Sequence, residues 1–220
     1  MAGGKKYKFQ GTTIQFATNF DASSPSGVIS AVTKANPAVV TQTSHGAASG
    51  DVVRIQDVEG MTELEGEKFI IQRVDANSYR LLGTNSTDYG TFSSAAQADF
   101  GVWSSLCELT GYNRQGGTSP EIPGTSICSE AQEFEIGLPD YGTIQIDYNF
   151  APQVSVQAAL QSAYESGEVI GVKVTLPGAG GSMTLLGYVQ QTSEQASVNG
   201  LWTGSLTLRV TGPRRDFAAA

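Results

Sequence analysis

A period of two in the placement of apolar residues constrains this chain more than any other feature. Between Tyr141 and Phe150, residues Ile144, Ile146, Tyr148 and Phe150 fall on one side, and Thr143, Gln145, Asp147 and Asn149 on the other. Between Gly200 and Thr211, Trp202, Leu206, Leu208 and Val210 oppose Thr203, Ser205, Thr207 and Arg209. Successive side chains of a strand point to opposite faces, so this pattern predicts a sheet with one dry and one polar face. Further strands are expected at Gly101–Leu109, Glu168–Leu176 and Ser182–Gln190, with glycine-rich turns between them. Gly178-Ala179-Gly180-Gly181-Ser182 reads as a hairpin tip: it lacks the spacing and the following Lys-Ser/Thr of a phosphate-binding loop.

One segment has helical spacing instead. Val156, Ala159, Leu160, Ala163 and Tyr164 form a single apolar stripe. Ser155 is the expected N-cap and Gly167 the expected residue beyond the C-terminus. A helix this short is marginal alone and must lie on the sheet, leaving Gln157, Gln161 and Glu165 for solvent or a neighbour.

The first half reads as a separate unit. Strands are expected at Val28–Lys34, Ala38–Thr43, Asp51–Asp57, Glu67–Val74 and Ser78–Leu82, the last two joined by the turn Asp75-Ala76-Asn77. Small polar stretches flank it, Ala22 to Gly27 before and Ser93 to Ala96 after, and read as linkers. The expected organisation is a host domain of residues 1–26 and 99–220, interrupted by an inserted module at 27–98. The fold class is all-β: a β-sandwich or barrel with one flanking α-helix, plus an inserted small all-β domain.

Charge narrows the function. The net charge of −8 argues against a nucleic-acid reader that must neutralise phosphates, and is compatible with an acidic wall that DNA slides past. Only 15% of residues are charged, which suits a protein that buries much of its surface against copies of itself. The two cysteines, Cys107 and Cys128, are expected to be reduced, buried small hydrophobes. No apolar run resembles a signal peptide or a membrane-spanning helix, so assembly in a cytoplasm is the expectation.

No catalytic, cofactor-binding or metal-binding constellation emerges. His45, the single histidine, sits in a Ser-His-Gly turn with no converging nucleophile and acid. Eight acids and no Lys or Arg lie between Gln115 and Val172, among them Glu130, Glu133, Glu135 and Asp140. Few aromatic residues accompany them, as a sugar-cleaving carboxylate pair would require. Basic residues gather at the ends instead: Lys5, Lys6 and Lys8 near the N-terminus, Arg209, Arg214 and Arg215 near the C-terminus. Positive ends and an acidic middle suit contacts between copies, with charge setting register rather than affinity.

Two resemblances give this pattern a context. The segments Ser126 to Phe134, Gly137 to Gly142, Gln157 to Leu160 and Leu206 to Gly212 occur in an order and spacing that resemble the major tail tube proteins of long non-contractile-tailed (siphovirus-type) bacteriophages. The likeness covers roughly residues 101–220 and the strand Tyr7–Thr18. Within the insertion, Thr43-Ser44-His45-Gly46, Gly50-Asp51-Val52-Val53 and Gly60 to Gly66 are similar to the all-β module called FCCH in ubiquitin-activating enzymes. That second likeness implies a fold and no ubiquitin chemistry.

The first likeness implies a structural virion protein, not an enzyme. It would form homo-hexameric rings that stack head to tail into a tail tube, assembled in the host bacterial cytoplasm. Implied partners are the tape-measure protein, the tail terminator and distal tail proteins, with DNA passing through the lumen without sequence-specific binding. No cofactor and no membrane are implied. The polar loop Gly111–Gly124, Met1–Lys6 and the tail after Gly212 would order on neighbouring copies. Candidate inter-subunit contacts are Lys5, Lys6, Lys8, Tyr112, Asn113, Arg114, Glu130, Glu133, Asp140, Arg214 and Arg215. Candidate lumen-facing residues are Thr143, Gln145, Asp147, Thr203, Ser205 and Thr207, on two strand faces whose relation the sequence leaves open. The inserted module is expected on the outer surface. A distal-tail or fibre-type host-receptor-binding module is the alternative, and it would display clustered Trp and Tyr, whereas Trp103 and Trp202 both lie in strands expected to be buried.

Overall fold

A computed structural model describes residues 6–21, 28–93 and 96–219. The fold is all-β with a single α-helix among the described residues. Strands β1 (Thr13–Asp21), β2 (Val28–Ile29), β3 (Ala31–Val32), β4 (Val39–Thr41), β5 (Val52–Gln56), β6 (Lys68–Arg73) and β7 (Ser78–Leu81) come first. They are followed by β8 (Ala96–Ser105), β9 (Leu109–Gln115), β10 (Glu121–Pro123), β11 (Phe134–Ile136) and β12 (Thr143–Asn149). Helix α1 (Ser155–Ser166), β13 (Val169–Thr175), β14 (Ser182–Gln195), β15 (Thr203–Val210) and β16 (Arg215–Phe217) complete the chain.

One large sheet runs in the order β3-β4-β7-β6-β5-β8-β1-β13-β14-β15-β12-β9. β16 pairs with β14, β2 pairs with β8, and β10 and β11 form a separate two-stranded ribbon. Two apolar clusters lie along this sheet. One gathers Ile14, Phe16, Ile144, Ile146, Leu160, Val172, Leu206 and Leu208 with others from the two ends of the chain. The second gathers Ile29, Val40, Val53, Ile55, Met61, Leu64, Ile71, Tyr79 and Leu81. β8 serves both regions: Ala96, Ala98 and Phe100 belong to the second cluster, while Trp103–Ser105 pair with β1. The boundary expected at 98/99 thus falls inside a continuous strand. The stretches read as linkers lie mostly outside the described residues.

The alternating segments form strands for the reason their pattern suggests. On β12, Ile144, Ile146 and Tyr148 are buried, and on β15, Leu206, Leu208 and Val210 are buried. The expected apolar partner Trp202 departs from this: it precedes β15 and is 52% exposed, its ring tilted against Phe150 at 5.3 Å. β15 begins one residue later, at the mouth of the β14–β15 hairpin, so the dry face ends before Trp202. Trp103 is partly buried, with its indole N–H donated to Asp51 Oδ1 at 3.1 Å.

Helix α1 places Val156, Leu160 and Ala163 against the first cluster, and Gly167 closes it in the left-handed region at φ 68° with its N–H on Ala163 O. Three details differ from the helical expectation. Ser155 is already helical; Val154 occupies the cap position and supplies no side-chain bond. Gln157 is buried rather than solvent-facing, because its amide accepts from Ala151 N–H at 2.8 Å and donates to Asn149 O at 3.1 Å, tying the entry loop to the helix. Tyr164, the last residue of the stripe, is exposed.

The segment after β8 also folds differently from its sequence pattern. The strand expected to run on to Leu109 stops at Ser105, and the chain turns through residues 106–108. The supposed loop from Gly111 begins as strand instead: β9 pairs with β12, Asn113 opposite Gln145 and Gly111 opposite Asp147. Cys107 at that turn and Cys128 beyond β10 are free but exposed, not buried; at the turn it is the neighbouring Leu106 that enters the first apolar cluster.

A candidate assembly surface

The six candidate lumen positions belong to one surface. Gln145 lies opposite Thr207, Asp147 opposite Ser205 and Asn149 opposite Thr203. Directly opposed residues of an antiparallel pair project to the same side. The two strand faces left unrelated by the sequence are therefore one polar face of β12 and β15. β14 extends it with Gln191, Ser193 and Gln195, and β9 with Asn113. Short polar contacts knit it together: Ser193 Oγ to Ser205 Oγ at 2.8 Å, and Gln145 Nε2 donating to Asp147 Oδ1 at 3.2 Å. Hydroxyls, amides and one carboxylate make up its centre. At its end, opposite Thr143, the cation Arg209 is held by Asp140 at 2.8 Å.

β9 ends the large sheet and has a strand partner on one side only among the described residues. The backbone donors and acceptors of this seven-residue strand that point away from β12 are a template for another strand. The candidate contacts on β9 are unequal. Asn113 is exposed on the polar face; Tyr112 and Arg114 face the dry side and are half-buried. Burial pushes the Tyr112 phenol pKa up, partly offset by Arg114 and Arg214. Arg114 Nε is buried without a hydrogen-bond partner.

From β9 the chain leaves the sheet as an arm, residues 116–142. Its ribbon sets Glu121 opposite Ile136, Ile122 opposite Glu135 and Pro123 opposite Phe134. Further bonds extend it, Gly124 N–H to Glu133 O at 2.9 Å and Gly137 N–H to Pro120 O at 2.7 Å. Ile122, Ile127, Phe134, Ile136 and Leu138 are all exposed, Ile136 at 82% and Leu138 at 89%. Three residues per strand cannot bury both faces of a ribbon, so its apolar side chains stay in water in a single copy. Glu130 is exposed and Glu133 accepts from Ser129 Oγ at 3.1 Å. At the base, Asp140 accepts from Gly142 N–H and from Arg209 at 2.8 Å each. Those two contacts, the backbone bond first, hold its carboxyl below the ordinary range.

A second apolar set, Val198, Leu201 and Trp202, is exposed at the β14–β15 turn. The arm adjoins the Thr143 end of β12 and this turn adjoins its Asn149 end, so the two sets stand at opposite ends of one strand. Sequence pattern alone missed both sets. The available signal was large apolar residues inside Gly/Pro/Ser/Glu-rich stretches too short to form a buried layer.

The termini are placed unevenly. Lys5 lies outside the described residues, and Lys6 and Lys8 are exposed. Arg214 pairs with Asp216 at 2.8 Å, and Arg215 lies on β16 beside Gly83. The tail after Gly212, expected to order on a neighbour, already pairs with β14 of its own chain. His45 is fully buried, with Nε2 3.0 Å from Asp75 O and Nδ1 accepting from Ala47 N–H, a turn-fixing role. Among the described residues no group of three or more His, Cys, Asp or Glu is arranged to hold a metal, and no helix is long and apolar enough to cross a membrane.

The family model for the FCCH domain of ubiquitin-activating enzyme E1 matches residues 35–95, a segment well short of half the chain. Among solved structures, the chain is similar to the SPP1 tail tube, determined by solid-state NMR and cryo EM. The TM-score is 0.42 at 15% identity, over 52% of this chain and 69% of that one. No curated protein matches the chain.

Proposed function

We propose that this chain is a structural virion protein that polymerises as stacked hexameric rings into a phage tail tube. The observation that carries the reading is the arm: five large apolar side chains held in water on and around its two-stranded ribbon. Full burial of such a side chain is worth about 1.5–3 kcal/mol, so an unpartnered ribbon gains more from a second copy than from its own fold. The open edge of β9 lies beside the arm and beside the polar face, so a strand added there from a neighbour would extend that face sideways. Closure of such a ring removes free sheet edges and leaves an enclosed hole.

In this reading the polar face lines the lumen, where hydroxyls, amides and carboxylates let DNA pass without adhering. The tape-measure protein fills the hole during assembly, and terminator and distal tail proteins cap the stack. Acids of the arm, Glu130 and Glu133, meet Lys5, Lys6, Lys8 and Arg214 of adjacent copies; Tyr112, Asn113, Arg114, Asp140 and Arg215 lie at or near the same contacts. The inserted segment, roughly residues 27–98, stands on the outside, since six copies of it would block the hole.

The alternative, a distal-tail or fibre-type receptor binder, is favoured by one observation: Trp202 is exposed beside Leu201 and Val198 rather than buried. Electron microscopy of the concentrated purified protein separates the two. Long hollow tubes are expected; discrete monomers or trimers at every concentration would overturn the tube and favour the binder.

A further inference from the structure

The C-terminal strand touches both regions of the molecule. β16 pairs with β14 through Phe217 opposite Ser182, Asp216 opposite Met183 and Arg215 opposite Thr184. Its side chains reach the inserted segment. A Cβ placed on Gly50 would lie 2.9 Å from Phe217 Cδ2, and one placed on Gly83 would lie 3.0 Å from Arg215 Nη2. Both glycines have φ near +90°, a conformation that side chains disfavour, so the two seats are bare for backbone reasons and receive a side chain from another element. Around them runs a polar seam. Thr184 Oγ1 donates to Gly50 O at 2.9 Å, Lys173 Nζ meets Asp51 Oδ1 at 2.7 Å beneath the Trp103 indole N–H, and Lys68 Nζ donates to Val169 O at 2.7 Å.

We propose that β16 is a strap that sets the orientation of the inserted segment on the body. The chain passes between the two regions twice, from β1 to β2 and back along β8, and because β2 pairs with β8 the crossings lie side by side and leave a hinge free to swing. The seam hydrogen bonds fix one line of contact. Phe217 and Arg215 reach across from the far side of β14 and close the remaining freedom. A strap of three residues is short enough to detach without unfolding either apolar cluster, since neither cluster includes a residue after Val210.

The test uses the full chain with Cys107→Ser and Cys128→Ser, carrying spin labels on Glu59→Cys in the inserted segment and Glu165→Cys on α1, both exposed positions. It is run at a concentration where the protein is monomeric, so it does not depend on the tube reading. A single narrow distance is expected with the native C-terminus. Phe217→Ala, and separately a stop after Gly212, should broaden the distance distribution about twofold while the unfolding transition of the body stays in place. Phe217→Leu should restore most of the width. Unchanged widths in Phe217→Ala would overturn the proposal whether or not the truncated chain folds. Broadening accompanied by loss of the body's own transition would also overturn it, by making β16 part of the core.

Discussion

The inserted segment and the arm are both excursions from the same sheet, yet they spend their apolar residues in opposite ways. The segment from β2 to β7 turns Ile29, Val40, Ile55, Met61, Leu64, Tyr79 and Leu81 inward and matches its polar atoms: Tyr79 Oη donates to Gln42 Oε1 at 2.9 Å. The arm leaves Ile122, Phe134, Ile136 and Leu138 in water. One excursion is finished within a single copy and the other is not. Length decides the difference, because a segment with six strands and their turns can close a core, whereas a ribbon of three residues per strand cannot.

Substitutions should therefore separate the two by what they damage. The largest effect is expected from Ile122→Asp with Ile136→Asp on the arm: assembly read by sedimentation and microscopy should be lost, while monomer stability moves by no more than about 0.5 kcal/mol. A large fall in monomer stability would mean the arm packs on its own chain. Tyr79→Ala should do the reverse, costing about 3–5 kcal/mol in denaturant unfolding of the inserted region while chains that remain folded still assemble.

The smallest expected effect concerns the joint between arm and body. The Asp140 carboxyl is held below its ordinary value by Gly142 N–H and Arg209, so its contribution is present above the usual Asp range and disappears as pH falls through its own lower pKa. The Gly142 amide resonance should follow that titration, with a midpoint below 3.8. A midpoint at or above that value would mean the arm is not clamped at its base.

Much of this architecture was legible in the sequence, where local pattern and tertiary placement agree. β12, β13, β14 and β15 follow from alternation, α1 from its apolar stripe, and the Asp75-Ala76-Asn77 turn from its chemistry, in which Asn77 N–H is donated to Asp75 Oδ1 at 2.7 Å. What failed depended on the identity of the layer overhead. Trp202 and Cys107 have apolar character but are exposed, Cys107 because its neighbour Leu106 takes the core position at that turn, and Gln157 is polar but has two backbone groups waiting for it. β9 was hidden because its seven residues do not alternate; its strand form comes from the backbone of β12 beside it. The polar face could be read residue by residue, but only pairing register joins Thr143, Gln145 and Asp147 to Thr203, Ser205 and Thr207.

The sharing of β8 also has a mechanical side. Its first half is bonded to β5, from Val53 opposite Phe100 to Gln56 opposite Gln97, and its second half to β1, from Gln15 opposite Ser105 to Asp21 opposite Phe100. Drag on the inserted segment along the direction of β8 pulls these ladders lengthwise, so many hydrogen bonds share the load at once instead of yielding one by one. The same tug applied across the strand would peel them in turn, and the attachment resists towing far better than prying.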